Sequence, residues 1–195
     1  MTGKELYEEA ERLARKADRN GGPLPVGLLE EAAAAGHAPA IYALGNWHVH
    51  GKGVRKNYKK AVTLFKKAAS MRYAPAEYDL AVSYEAGKGI DKNLAAAFRW
   101  YQRAASNGDR DAMTETARCH YYGIGTARNL AKAIKWYKNA AELGDPEAQF
   151  VIGRAYELGE GVKPNIEDAL AWYTKAAEQG DEGARKAVAD LKRRE

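Results

Sequence analysis

A single cysteine, Cys119, stands in the whole chain. No intrachain disulfide can form, and an oxidising compartment finds no support in the composition. A lone cysteine inside a helix is read as a small buried apolar residue rather than a nucleophile. No apolar run is long enough to span a bilayer. The N-terminal stretch MTGKELYEEAERLARKADRN is charged and lacks the apolar centre of a secretory signal. The expectation is a cytoplasmic protein without membrane insertion, periplasmic or secreted only if a signal has been removed.

The usual signatures of catalysis are missing as well. There is no phosphate-binding loop, nucleophile elbow, H-E-x-x-H or cysteine cluster. Glu157 and Glu160 could pair as general acid and base, but no apolar pocket is evident to separate their pKa values. Histidines are few: His37, His48, His50 and His120. His48 and His50 are two apart, so on a helix they point to different sides and cannot share a tetrahedral ion. His48 and His120 hold one position two repeats apart, roughly 20 Å at ordinary helix spacing. They are expected to stand in for a packed tyrosine with a ring nitrogen hydrogen-bonded. The sequence thus predicts no catalytic residues, no metal and no cofactor.

Acidic side chains are absent from one segment. Residues 38–73 carry eight basic residues (Lys52, Arg55, Lys56, Lys59, Lys60, Lys66, Lys67 and Arg72) and no acidic one, within an overall charge of +5. Residues 146–181 carry seven acidic and three basic residues, a net of −4. A basic patch of this kind is either a solvated face or a surface that steers an acidic partner. Nucleic acid is not the expected partner, because no aromatics appear interleaved among the lysines to stack on bases.

What the chain does contain is a period. The stretch PEAQFVIGRAYELGEGVKPNIEDALAWYTKAAEQGD superposes without gaps on residues 110–145, 74–109 and 38–73 when slid back by steps of 36 residues. Gly51 and Gly53, Gly87 and Gly89, and Gly123 and Gly125 fall on Gly159 and Gly161. Asn57, Asn93, Asn129 and Asn165 share one position, and the alanine pairs 68–69, 104–105, 140–141 and 176–177 share two more. A fixed period of this length marks a solenoid, in which each unit buries its apolar face against its neighbours. One elongated all-α domain is expected, with eleven helices and no sheet.

Each repeat reads as two antiparallel helices, A and B. Asp145 caps helix A of the last repeat with Pro146 at its first position, and Gly159-Glu160-Gly161 ends it. Asn165 caps helix B. Gly180, Gly144 and Gly108 end the B helices, but Arg72 breaks that series, so the first inter-repeat turn is expected to differ. In helix B, Ile166, Ala169, Leu170, Ala176 and Ala177 form one side with Trp172 and Tyr173. Trp136-Tyr137 and Trp100-Tyr101 repeat the pair, and Leu64-Phe65 replaces it. All are assigned to the core, so that Trp136→Ala would cost about 3–5 kcal/mol at full burial.

Residues 1–37 read as an N-terminal cap: a helix over 1–20 with Leu6, Ala10, Leu13, Ala14 and Ala17 on one side, a break at Gly21-Gly22-Pro23-Leu24-Pro25, then a degenerate half-repeat in which Leu28 matches Leu64. Residues 182–195 read as a closing helix ending in Lys192-Arg193-Arg194, with Ala184 on the Ala148 position.

The pattern A-x-Y-x-L-G-x-x-Y-x-x-G-x-G-V followed by A-x-x-W-Y-x-K-A-A-x-x-G resembles the Sel-1-like repeat (SLR) family, a branch of the tetratricopeptide-like superfamily. It stands here as Ala40-Ile41-Tyr42-Ala43-Leu44-Gly45 with Gly51-Lys52-Gly53-Val54, and again from Ala148-Gln149-Phe150 to Glu178-Gln179-Gly180. The resemblance covers residues 38–181 in four copies (38–73, 74–109, 110–145, 146–181). Departures are Thr116-Ala117 in place of Leu-Gly, His48 and His120 in place of Tyr, and Asn where many members have Asp.

The resemblance implies a right-handed α/α superhelical solenoid that serves as an adaptor, gripping a protein or peptide on its concave face. Cysteine-rich relatives that bind β-lactams carry a cysteine pair in each repeat, which this chain lacks. By analogy with tetratricopeptide geometry, the groove-facing candidates are Asn46, His50, Tyr78, Glu85, Arg118, Tyr121, Tyr122, Arg154 and Glu157, with Val49, Val82, Ala86, Thr114, Phe150 and Leu158 also in that set. Tyr42 falls there too but could pack inward. Tyr121-Tyr122 with Arg118 and Arg154 is the expected centre, suited to an acidic group. A stoichiometric inhibitor or immunity-type protein that occludes one enzyme or toxin through the basic first repeat is the alternative, and a hydrolase the weakest. A monomer is favoured.

Overall fold

The computed structural model describes residues 1–20 and 22–193. Among the described residues are eleven α-helices and no strand, as the repeat pattern predicts. Gly21 in the expected break and Arg194 in the expected basic end lie outside the described residues. The chain divides into two compact units, Met1–Asn107 and Gly108–Glu195.

The first unit holds α1 (Gly3–Asn20), α2 (Val26–Ala34), α3 (Ala38–His50), α4 (Tyr58–Ser70), α5 (Ala74–Ala86) and α6 (Leu94–Ser106). Within it α3 packs on α4, α4 on α5 and α5 on α6, so hairpins stack in chain order. α1 opens with a capping box: Thr2 N–H donates to Glu5 at 2.7 Å and Glu5 N–H to the Thr2 hydroxyl at 3.2 Å. Ala10, Ala14 and Ala17 of its expected stripe are buried. The unit's core runs from Ala10 and Leu29 through Ile41 and Phe65 to Leu80.

The second unit holds α7 (Arg110–Tyr122), α8 (Leu130–Glu142), α9 (Pro146–Leu158), α10 (Ile166–Glu178) and α11 (Glu182–Lys192). α7 packs on α8, α8 on α9, α9 on α10 and α10 on α11. α11 buries Ala184 and Leu191 against Tyr173 and Ala169.

Local chemistry explains the helix ends. The asparagine side chains accept from the backbone two or three residues on, at 3.0 Å for Asn57, 2.9 Å for Asn93, 2.9 Å for Asn129 and 3.0 Å for Asn165. Asp145 caps α9 by accepting from Ala148 N–H at 2.8 Å. Gly159 closes α9 at φ 74, in the left-handed region that a side chain disfavours. Its partner in the turn does something further. A Cβ on Gly89 would overlap the backbone of Tyr58 and Lys59, so the second glycine seats the turn on the first residues of the preceding B helix.

Two expectations are corrected. At the Trp-Tyr pairs only the tyrosines are core: Tyr101, Tyr137 and Tyr173 are 2%, 5% and 1% exposed, whereas Trp100, Trp136 and Trp172 are half-buried. Neighbouring residues on a helix are separated by about 100°, so one ring faces the A helix and the other lies along the flank. The tyrosine ring rests on the A helix so closely that a Cβ on Gly153 would come within 2.7 Å of Tyr173. Trp136→Ala therefore costs less than a full-burial deletion. Ile166, also assigned to the core, is 46% exposed. Its counterpart Leu94 is 37% exposed as well, so this first position of the B helices lies at the flank and not in the core.

Arg72 does what glycine does elsewhere. It adopts φ 61, the one non-glycine residue at positive φ among the described residues, so the turn keeps its shape at a steric cost.

Candidate functional site

In the first unit, α3 and α5 lie side by side and leave a groove of about 370 Å³. Asn46 and His50, both expected at a binding face, line it, together with Val49 and Val82. Phe65 of α4 forms its floor, and Lys56, Tyr58 and Lys88 its basic rim. The Lys56 ammonium sits 5.0 Å from the centre of the Tyr58 ring. A hydrogen bond from Lys56, with the charges of Lys56 and Lys88, holds the Tyr58 hydroxyl below its usual pKa. At the other end is Asp79. Burial, then the Asp79 carboxylate, pushes the Tyr42 hydroxyl up to about 12.

The remaining candidates of this unit are taken up by the fold. Tyr78 packs on Tyr101 at 5.6 Å between ring centres. Glu85 accepts the Tyr101 hydroxyl at 2.7 Å. Tyr42 packs inward on Phe65 and Tyr73, as its position allowed.

Of the basic residues, Lys52 is paired with Asp18 of α1 at 2.8 Å, a partner outside the segment that looked free of acid. Arg55, Lys56, Lys59, Lys60, Lys66 and Lys67 are exposed. The expectation that no aromatic lies among them does not hold: Lys52 sits over Trp47 and Lys66 over Tyr84, each at 5.9 Å. Trp47 and Tyr58 stand within the same segment of sequence as the lysines, and only Tyr84 comes from a later helix.

In the second unit the expected centre is a closed network. The Tyr121 hydroxyl donates to Glu160 at 3.0 Å and accepts from Arg154 at 3.2 Å, and Arg154 lies 3.6 Å from Glu160. Burial, then the bond to Glu160, raises the Tyr121 pKa. Arg118 donates to Glu115 at 2.6 Å. Glu157 accepts the Tyr173 hydroxyl at 2.9 Å. Thr114 is buried and bonds Asp145 at 3.2 Å, and Phe150 packs on Tyr173. The arginines expected to await an acidic ligand thus already hold glutamates. The most exposed of these candidates are Tyr122 and Leu158, 64% and 59% exposed at the last position of α7 and α9, with the Tyr122 ring edge-on to Tyr121 at 4.8 Å.

The histidines are packing residues. His48 and His120 are buried, His48 with Nδ1 3.1 Å from the Arg55 carbonyl. Burial, then the charge of Lys132, lowers the His120 pKa, against a hydrogen bond with the Ala127 backbone that raises it. Among the described residues no group of three or more His, Cys, Asp or Glu is placed to hold a metal, and no helix is long and apolar enough to cross a membrane.

A family model described as Sel1 repeat matches residues 38–73, 74–109, 110–145 and 146–181. The chain belongs to the Sel1 repeat family. A Sel1 repeat protein from Oxalobacter formigenes is 34% identical over 96% of this chain and 73% of its own, with a TM-score of 0.79. A protective antigen present in uropathogenic Escherichia coli strains, displaying an SLR fold, is 29% identical over 98% of this chain, with a TM-score of 0.85. This chain spans 44% of that protein's length. An immunity protein from Pseudomonas aeruginosa is 26% identical over 93% of this chain and 67% of its own, with a TM-score of 0.55. No curated protein matches. Sel1 repeats in general serve as protein-interaction scaffolds, and the all-helical stack of hairpins in each unit fits that architecture.

Lys88, Asp79 and Tyr58 were not among the residues the sequence singled out. Lys88 lies between the two glycines of a turn, the position at which only Lys52 and Glu160 were singled out. The turn's middle residue nevertheless changes from Lys52 and Lys88 to Ile124 and Glu160 through the repeats. That variation was the available signal.

Proposed function

We propose that this Sel1 repeat protein is an adaptor that grips a partner protein on the A-helix side of its hairpins. The observation that carries the reading is the exposure of Tyr122 and Leu158 at the ends of successive A helices, large groups in equivalent positions, with the Tyr122 ring held edge-on against Tyr121 at 4.8 Å. Paired exposed apolar side chains beside a hydrogen-bonded Tyr-Arg-Glu network have the make-up of a binding hot spot. The test is capture from cytoplasmic extract of the native host, read by quantitative mass spectrometry, with the chain and with Tyr122→Asp, Leu158→Asp. Loss of the captured protein with an unchanged melting temperature supports the site; retention sinks it.

A second reading is an immunity-type inhibitor that occludes one enzyme through its basic first repeat. It is favoured by the likeness to the Pseudomonas aeruginosa immunity protein and by the exposed lysines of α4. One enzyme recovered in equimolar amount, with association slowing steeply between low and physiological salt, would select this reading. Several recovered components would select the adaptor.

A further inference from the structure

We infer that the groove between α3 and α5 takes an acidic side chain of an extended peptide segment, with an apolar neighbour of that residue on the groove floor. The inference rests on the protein-binding reading above and adds the chemistry of one occupant.

Charge complementarity and shape argue for it together. Lys56 and Lys88 approach from different elements, the end of the α3–α4 loop and the α5–α6 turn, and both act on the hydroxyl of Tyr58. Among the described residues neither ammonium forms an ion pair with a carboxylate, in contrast to Lys52, which is paired with Asp18. A carboxylate between them would gain two charge-assisted hydrogen bonds, with the phenol hydroxyl as a further donor. Val49 and Val82 with the edge of Phe65 provide an apolar floor, and Val82 is 37% exposed. Asp79 also lines the groove, and its negative charge acts on the Tyr42 hydroxyl. It repels a second carboxylate there, so the occupant is acidic at the lysine end and carries a hydrogen-bond donor at the Asp79 end. That polarity sets a direction for the peptide and distinguishes the site from a generally basic surface, which accepts any polyanion.

Random peptides displayed on phage, selected on the full chain and counter-selected on the Lys56→Glu, Lys88→Glu variant, provide the test. The expected result is enrichment of sequences with Asp or Glu next to Leu, Ile, Val or Phe. The selected peptide, made synthetically, should bind about ten-fold or more weakly to Lys56→Glu and to Lys88→Glu, and unchanged to Lys67→Glu on the exposed side of α4. Replacing its acid by the amide should weaken it to the same degree. Both groove lysines are exposed, so the variants should fold, and Lys56→Gln with Lys88→Gln repeats the test without charge reversal. No enrichment, enrichment without an acid, or binding that survives these variants overturns the assignment. Host-extract capture that persists through both lysine variants, with peptide selection empty, removes the groove and leaves the adaptor reading intact.

Discussion

The hydroxyl of Tyr173 donates to the Glu157 carboxylate at 2.9 Å, sixteen positions back along the chain. The same contact joins Tyr101 to Glu85 at 2.7 Å, two repeats earlier. Where the first repeat has Phe65, without a hydroxyl, the position of Glu85 is Val49. The third repeat has Tyr137 but Tyr121 at the acid's position, so the acid accompanies the ring in two repeats, and there Glu85 and Glu157 are parts of the frame. Tyr173→Phe should cost about 1 kcal/mol, the net worth of one hydrogen bond. Tyr173→Ala should cost about 3–5 kcal/mol, as for other large core rings. Urea unfolding monitored by circular dichroism measures both.

Arg72 holds a left-handed conformation that glycine holds at Gly108, Gly144 and Gly180. Arg72→Gly should raise stability by about 1 kcal/mol, the steric penalty of a side chain there. Loss of the 3.2 Å contact from Arg72 to Asn107, which is exposed, offsets little of it. A rise in melting temperature is the expected reading.

Gly89→Ala should destabilise the first unit strongly. The new methyl would meet the backbone of Tyr58 and Lys59, which no rotamer change can move, and φ 76 adds strain. Gly108→Ala has the strain alone, since nothing lies within 4 Å of its Cβ position. The difference between the two melting temperatures isolates the packing against α4.

Glu77 is fully buried, paired with Arg103 at 2.6 Å and accepting from Asn107 at 2.7 Å. Arg103→Ala should cost about 3–5 kcal/mol, because it leaves a buried carboxylate without its counter-charge. Adding Glu77→Ile, the residue at the same position in the first repeat, should restore much of the loss. A double-mutant cycle in urea checks the coupling.

His120 has a folded-state pKa below its unfolded value, chiefly through burial. Its neutral form is the one the fold accommodates, so its contribution is complete above the unfolded pKa and is lost as pH falls below about 6.5. The melting temperature should drop between pH 7.5 and 5, and less so in His120→Tyr, which carries the residue that Tyr84 and Tyr156 supply in other repeats. The difference between the two pH profiles reports the histidine.

The repeat pattern gave the helices, their caps and the tyrosine positions, because each is a short-range matter. Asn129 bonds a backbone N–H three residues on, and Tyr137 is spaced from Ala133, Ala140 and Ala141 by about one helical turn. The repeat comparison also held unread information. Ile41 with Met71 and Met113 with Leu143 are apolar at the two positions where Glu77 with Asn107 and Gln149 with Gln179 are polar, the last bonded at 2.8 Å. The binding face was less legible. Arg118, Arg154 and Tyr121, expected to await an acidic ligand, are engaged by glutamates.

The sequence alone determined that each of the four repeats is a hairpin of two helices, for helical periodicity and capping act over three or four residues. Only the tertiary structure decided which of two adjacent aromatic rings is core, that Lys52 is neutralised by Asp18, and that Lys56 and Lys88 come to share one groove. The partners in these contacts are tens of residues apart. Their meeting depends on how neighbouring hairpins pack, and the side chains only then compete for one another or remain for a ligand.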